Sequence, residues 1–208
     1  MKITVFGATG RVGSEFLRLA CDAGHVMSAL VRDPSRLDPD CDVRAVVGDA
    51  RDAEPVRDAI GGADAVVSSI GVNDISQPFT TQSDAMRTIV DAMEALGVRR
   101  IAVVGGGGIL DHPDGGLRQE QPGFPATFRH VSDEHHRVWK ILEGSSLDWV
   151  IAACPDIVDE PATGEWLEER DRRPEGGQRR IPIGDVAAFL LREVERPHYI
   201  RTRVGLAT

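Results

Sequence analysis

The 208-residue sequence is short of several reactive side chains: it holds one tyrosine, three cysteines and, as lysines, only Lys2 and Lys140. Four residues after Tyr199 stands Arg203, so no Tyr-x-x-x-Lys acid/base pair exists anywhere in the chain. Reduction or oxidation at an alcohol or sugar carbon needs a base beside the hydroxyl, and the missing pair counts against that chemistry. Cys21, Cys41 and Cys154 are scattered, which predicts neither a disulfide framework nor a paired metal motif, and the odd count suits a reducing compartment. No apolar run reaches the roughly 18 to 20 residues of a membrane span, and no apolar signal-peptide stretch follows Met1 and Lys2. A cytoplasmic location without membrane contact is the expectation. Basic residues number 24 against 33 acidic ones, a net charge of −9, which disfavours nucleic acid while leaving room for a small anion at a local site.

What is present is an ordinary globular composition, 41% hydrophobic and 27% charged, at a length that suits one domain over residues 1–208. Short apolar runs at 3–6, 26–31, 43–47, 65–68, 101–104 and 149–153 alternate with helical patterns near 11–23, 52–60, 80–97 and 131–144. Strands alternating with helices signal a parallel sheet covered on both faces and reached by right-handed crossovers. The chain therefore predicts a doubly wound α/β, Rossmann-like fold. Residues 111–129 and 155–180 interrupt the alternation; both follow late strands and should hang over the carboxyl end of the sheet, where open α/β sheets bind ligands.

The strongest motif is Gly7-Ala8-Thr9-Gly10-Arg11-Val12-Gly13, between the first strand and the first helix. Gly7 permits the tight turn, Gly10 lets backbone approach a pyrophosphate, and Gly13 lets helix pack on strand. The first-turn N–H groups and the helix dipole then face the phosphates. The second strand ends Val31-Arg32-Asp33-Pro34, where an acid would mark NAD and an arginine NADP. Arg32 can fork onto a 2′-phosphate and stack on adenine, and Arg11 adds charge; the alternative is a solvated Arg32 paired with Asp33. Asp49 and Ala50 after the third strand, and Ser69 and Gly71 after the fourth, stand where adenine, ribose and pyrophosphate would pass. Taken alone, an Asp after a strand, such as Asp49, is more often a helix cap.

These residues resemble the atypical short-chain dehydrogenase/reductases with an NAD(P)H-binding, NmrA-like Rossmann domain, and within them the biliverdin-IXβ reductase/NADPH-dependent flavin reductase group. The likeness runs through Gly7 to Gly13, Val31 to Leu37, Val46 to Asp49, Gly71 with Asn73-Asp74, His135 to Lys140, Trp149 to Pro155, Asp159-Glu160-Pro161, Thr163-Gly164 and the late helix opening Gly184-Asp185-Val186. It implies NADP(H), rather than NAD(H), held along the sheet's carboxyl edge past Val104 and Gly105, and hydride transfer to a flat conjugated acceptor. Flavins, quinones and bilins delocalise the added charge, so solvent can deliver the proton and positioning becomes the main task. The resemblance also favours a monomer.

Two departures fall on the substrate side. The family's serine after the fifth strand is Gly106 here, and the histidine after its proline pair is replaced in Cys154-Pro155-Asp156. Gly106, Cys154, Pro155 and Asp156 are the substrate-side candidates, Cys154 as a small buried residue rather than a nucleophile. Asp156 is either a loop cap or a stand-in for the missing histidine. His135 and His136 point about 100° apart on a helix and cannot share a metal; His135 reads as a helix-surface residue. His136 keeps the spacing of a catalytic tyrosine to Lys140, which makes it a candidate surrogate acid. Arg170, Arg172, Arg173, Arg179 and Arg180 lie among acids and read as a solvated, salt-bridged loop. The competing functions are an NmrA-like redox sensor that binds NADP(H) without turnover, and a nucleotide-sugar epimerase, which the missing Tyr-x-x-x-Lys pair opposes.

Replacing Arg32 by alanine is expected to weaken NADPH binding far more than NADH binding, as read by fluorescence titration; equal losses contradict the 2′-phosphate assignment. Gly10→Val is expected to abolish binding of both cofactors, because a branched side chain fills the pyrophosphate's approach.

Overall fold

The structure, a computed structural model, describes residues 1–208. Its strands are β1 (Lys2–Phe6), β2 (Val26–Val31), β3 (Val43–Val47), β4 (Ala65–Ser68), β5 (Arg100–Gly106), β6 (Asp148–Cys154), β7 (Asp156–Val158), β8 (Leu167–Arg170), β9 (Arg180–Pro182) and β10 (Thr202–Ala207). The helices are α1 (Arg11–Asp22), α2 (Ala53–Ile60), α3 (Thr81–Leu96), α4 (Arg129–Gly144) and α5 (Ile183–Glu195). Eight strands form one sheet in the order β3-β2-β1-β4-β5-β6-β10-β8, parallel except for β8, and β7 pairs with β9 separately. The run β3-β2-β1-β4-β5-β6 is the Rossmann strand order, which reverses direction between β1 and β4 and opens a crevice there.

A parallel sheet buried on both faces needs strands apolar at every position rather than at alternate ones. In β6, Trp149, Ile151 and Ala153 face one core while Val150, Ala152 and Cys154 face the other. The core that Trp149 faces packs α2, α3 and α4 on the sheet through Ile60, Met86, Ile89 and Leu142; the core that Val150 faces packs α1 and α5 through Phe16, Leu17, Phe189 and Leu190. Helix α3 stops at Gly97, which adopts φ +73° so that the Val98 N–H reaches the Met93 carbonyl.

The structure adds what the periodicity of the sequence does not predict. Strands β7, β8 and β9 are three or four residues long; β7 and β8 fall inside 155–180, β9 begins at its last residue, and β10 lies beyond the last predicted strand. Leu167-Glu168-Glu169-Arg170 has no strand-like alternation; it becomes a strand because Val204 to Ala207 supply the hydrogen-bonding partner, and its charges suit a sheet edge. The expectation of unpaired cysteines is corrected as well. Cys21, in the last turn of α1, and Cys41, in the loop before β3, meet in a disulfide with a Cα–Cα separation of 5.9 Å, and Cys154 alone is free. Spacing could not reveal this pair, because the turn between α1 and β2 folds the chain back on itself.

Polar ties brace the far parts of the frame. The Arg100 guanidinium, buried at the start of β5, donates to the Glu193 carboxylate and to the carbonyls of Glu193, Asp148 and Tyr199. Glu193 also accepts from the backbone of His198 and Tyr199, which locks the turn leading to β10. Removing one partner of a buried pair strands the other charge, at a cost of about 3–5 kcal/mol. Glu193→Ala is accordingly expected to destabilise the protein by about that much in urea unfolding, with a lower midpoint; a loss below about 1 kcal/mol contradicts the bracing role.

Candidate functional site

The carboxyl ends of β1, β2, β4, β5 and β6 open into one cleft with a volume of about 1000 Å³. Its floor at the switch point is the glycine loop. Gly7 has φ +83°, and a Cβ there would lie 2.6 Å from the Ser69 backbone. A Cβ on Gly13 would lie 2.1 Å from the Gly7 carbonyl oxygen, so only glycine lets α1 sit this close to β1 and β4. The Ser69 hydroxyl donates to the carbonyls of Phe6 and Gly7 and holds the loop from beneath. Gly10, the N-cap of α1, offers no side-chain acceptor, so the first-turn N–H groups face the cleft without a cap.

Every residue proposed from sequence for the cofactor lines this cleft except Gly13, which lies behind Gly7. Gly7, Thr9, Gly10, Arg11, Val12, Arg32, Asp49, Ala50, Ser69, Gly71, Val104 and Gly105 are all on its walls. Arg32 makes no ion pair with Asp33, whose carboxylate accepts from Ser35 instead; the paired-arginine alternative is thereby removed. Arg36, one turn on, lines the same end of the cleft and has no acidic partner. The Asp49 carboxylate grips the Arg51 guanidinium through both oxygens, at 2.8 Å each, and this charge holds its pKa down to about 2. It enters the cleft as a committed acceptor rather than a free one.

A family model described as NAD(P)H-binding matches residues 7–197. The chain belongs to the NAD(P)H-binding family. Over nearly its whole length it is 27% identical to the protein YwnB of Bacillus subtilis, covering 98% of this chain and 96% of that one. It is 35% identical to a 3-diazoavenalumate denitrifying reductase of a Streptomyces species over 64% of this chain, but spans only 50% of that reductase. Among solved structures, ChuY, an anaerobilin reductase from Escherichia coli O157:H7, superposes with a TM-score of 0.81 at 24% identity, covering 100% of this chain and 97% of ChuY. A Burkholderia pseudomallei protein superposes at 0.86 with 29% identity over the full length of both chains. The fold is shared with these structures, and the family binds a nicotinamide cofactor.

The residues on the cleft walls fit that cofactor. The glycine cradle would be filled by any side chain, and the uncapped first turn of α1 offers N–H donors to a pyrophosphate. A buried acceptor also waits: Gln82, at the start of α3, donates through Nε2 to the Ile70 carbonyl at 2.7 Å, while its Oε1 is buried on the cleft wall without a partner. Sequence reading passed over Gln82, since nothing in its spacing marks it.

On the other half of the cleft stand Gly106, Cys154, Pro155 and Asp156, as expected, together with residues that were not. Burial pushes the Cys154 thiol up to about 12, so it stays protonated and serves as packing. His135 is corrected from helix surface to cleft wall. Glu134 beside it is fully buried and accepts from the Ser83 N–H and hydroxyl, which fixes the rotation of α4 against α3 and turns His135 inward. A Cβ on Gly106 would lie 2.7 Å from His135 Nδ1, so the imidazole occupies the space that a serine at 106 would need. The departure at 106 and the position of His135 are thus one packing solution. Burial lowers the His135 pKa from 6.5 to about 4, leaving a neutral ring at pH 7.

The surrogate-acid candidate fails on position. His136 packs edge-on against Trp139, and Lys140 pairs with Glu143, both away from the cleft. Tyr199 donates its hydroxyl to Glu168, equally remote. The arginine cluster divides. Arg180 pairs with Glu160 and Arg170 donates to Thr202, as a salt-bridged, solvated loop would. Arg173 and Arg179 instead line the cleft without an acidic partner, Arg179 while still exposed, so for those two the salt-bridged part of the expectation fails.

Because the unfolded chain takes up a proton on His135 near 6.5 and the folded one near 4, folding excludes that proton in between. This residue contributes nothing to the pH dependence above about 6.5, and it lowers stability progressively as pH falls from there toward 4. His135→Asn, which cannot titrate, is expected to lose less stability between pH 7 and pH 4.5 than the wild type in paired denaturation curves. An NMR midpoint for His135 near 6.5 contradicts the burial argument.

Proposed function

We propose that the protein is an NADPH-dependent reductase that passes hydride to a conjugated small-molecule acceptor such as a flavin, quinone or bilin. The observation that carries this reading is that no tyrosine, lysine or protonated histidine lines the cleft, whose carboxylates are Asp49, held by Arg51, and the exposed Asp156. Its histidine is neutral, its thiol is protonated, and the tyrosine and both lysines stand outside it. An acceptor able to delocalise the incoming charge needs no such group. The bound cofactor would supply the hydride. The chain's own residues orient it through the glycine loop and Gln82, and stack the acceptor against Phe124 and Phe128, which line the substrate half.

NADPH is preferred over NADH in this reading because Arg32 and Arg36 present two unpaired guanidiniums where the adenosine end is expected, and no carboxylate is free there to accept from a ribose 2′-hydroxyl. The reading takes residues 1–208 as one cofactor-binding domain acting as a monomer, with 111–129 and 155–180 as its substrate-side loops. It also takes the protein to be cytoplasmic. The reductase relatives support the reaction class, and the acceptor named for each belongs to that protein.

The test is NADPH oxidation by purified protein with FMN, riboflavin and a small quinone, beside NADH and an enzyme-free control. Acceptor-dependent turnover that favours NADPH is the expected outcome. Tight NADPH binding without turnover on any acceptor replaces this reading with an NmrA-like redox sensor, which a cleft without a Tyr-Lys pair also suits.

A further inference from the structure

Arg118, Arg173 and Arg179 come from two segments far apart in sequence and converge on the substrate half of the cleft. Arg118 belongs to the short turn Arg118–Glu120, anchored by its N–H to the Leu110 carbonyl just past β5. Arg173 is held by a hydrogen bond to the Gly177 carbonyl, and Arg179 precedes β9, its own carbonyl accepting from the Asp156 N–H. None of the three guanidiniums is within ion-pair distance of an acid, whereas the neighbouring Arg180 pairs with Glu160. Asp156 lines the same cleft and pairs with none of them. Burial, and the charges of Arg173 and Arg179, lower the pKa of Arg118, so the three repel one another without compensation. Like charges gathered without a counterion in a protein of net charge −9 are costly, and a bound anion relieves the cost.

We propose that Arg118, Arg173 and Arg179 form an oxyanion subsite for the acceptor, so that the molecule reduced carries a carboxylate, phosphate or sulfonate on a conjugated ring system. The three arginines come from the segments after β5 and before β9, and none belongs to the glycine loop or to the turn after β2 that carries Arg32. Phe124, Phe128 and Leu110 stand on the same wall, giving an apolar face for the ring beside forked donors for its anionic group. The inference rests on the reductase reading for its substrate, but the subsite can be tested as a binding site without turnover.

The experiment compares FMN with riboflavin, and a sulfonated naphthoquinone with its parent, in wild type, in the Arg118→Gln/Arg179→Gln double variant and in Arg172→Gln. The last removes the same charge from an exposed residue outside the cleft. Two measurements are made: KM with NADPH, and binding to protein saturated with NADP+. Wild type is expected to favour the anionic member of at least one pair by about tenfold or more, as charge-assisted hydrogen bonds imply. The double variant loses that preference, Arg172→Gln keeps it, and added salt erodes it in wild type, a readout that needs no variant to fold. Equal affinity within both pairs, or a preference untouched in a folded double variant, overturns the subsite. Anion preference in binding without turnover keeps the subsite and overturns the reductase; turnover without preference does the reverse.

Discussion

The contact between Gly13 and the Gly7 carbonyl sets the rest of the molecule. Helix α1 can approach β1 and β4 only because neither glycine carries a Cβ, and the approach aims the uncapped start of α1 into the crevice where the strand order reverses. The Ser69 hydroxyl, bonded to the carbonyls of Phe6 and Gly7, keeps that geometry from relaxing. A cleft formed this way has an electropositive floor before any side chain is counted. The family's nicotinamide cofactor follows from this one packing constraint.

From the crevice outward, the two halves of the cleft are built by different means. The cofactor half consists of strand ends and their immediate turns, so its residues stay close in sequence to the elements that place them. The substrate half is assembled from α4, the segment after β5 and the segment before β9. Buried carboxylates hold it together: Glu134 sets α4 against α3, and Asp185 at the start of α5 accepts from Thr163 and Gly164 and pins the segment after β7. These acids serve as struts. The cleft therefore has rigid walls and little catalytic equipment, which suits an enzyme whose chief work is alignment.

The exchange at positions 106 and 135 shows how one departure from a family pattern is absorbed. With glycine after β5, the imidazole of His135 moves into the vacated space and loses its proton through burial. The pocket keeps its volume filled while its polarity shifts, with a neutral ring in the space a side chain at position 106 would take.

The sequence by itself determined the order and bounds of β1 to β6 and α1 to α4, within a residue or two, because burial on both faces writes continuous apolar runs and amphipathic helices write a local period. It also placed Gly7 to Val12, Arg32 and Ser69 at the cleft, since they lie beside the strands that carry them. Only the tertiary structure decided which arginines of the late segment are solvated and which converge with Arg118. It alone decided that His135 points inward, that Gln82 leaves a buried oxygen free, that Cys21 meets Cys41, and that Leu167–Arg170 becomes a strand. Each of these depends on a partner many residues away, and no local period encodes a contact whose second half is supplied by the fold.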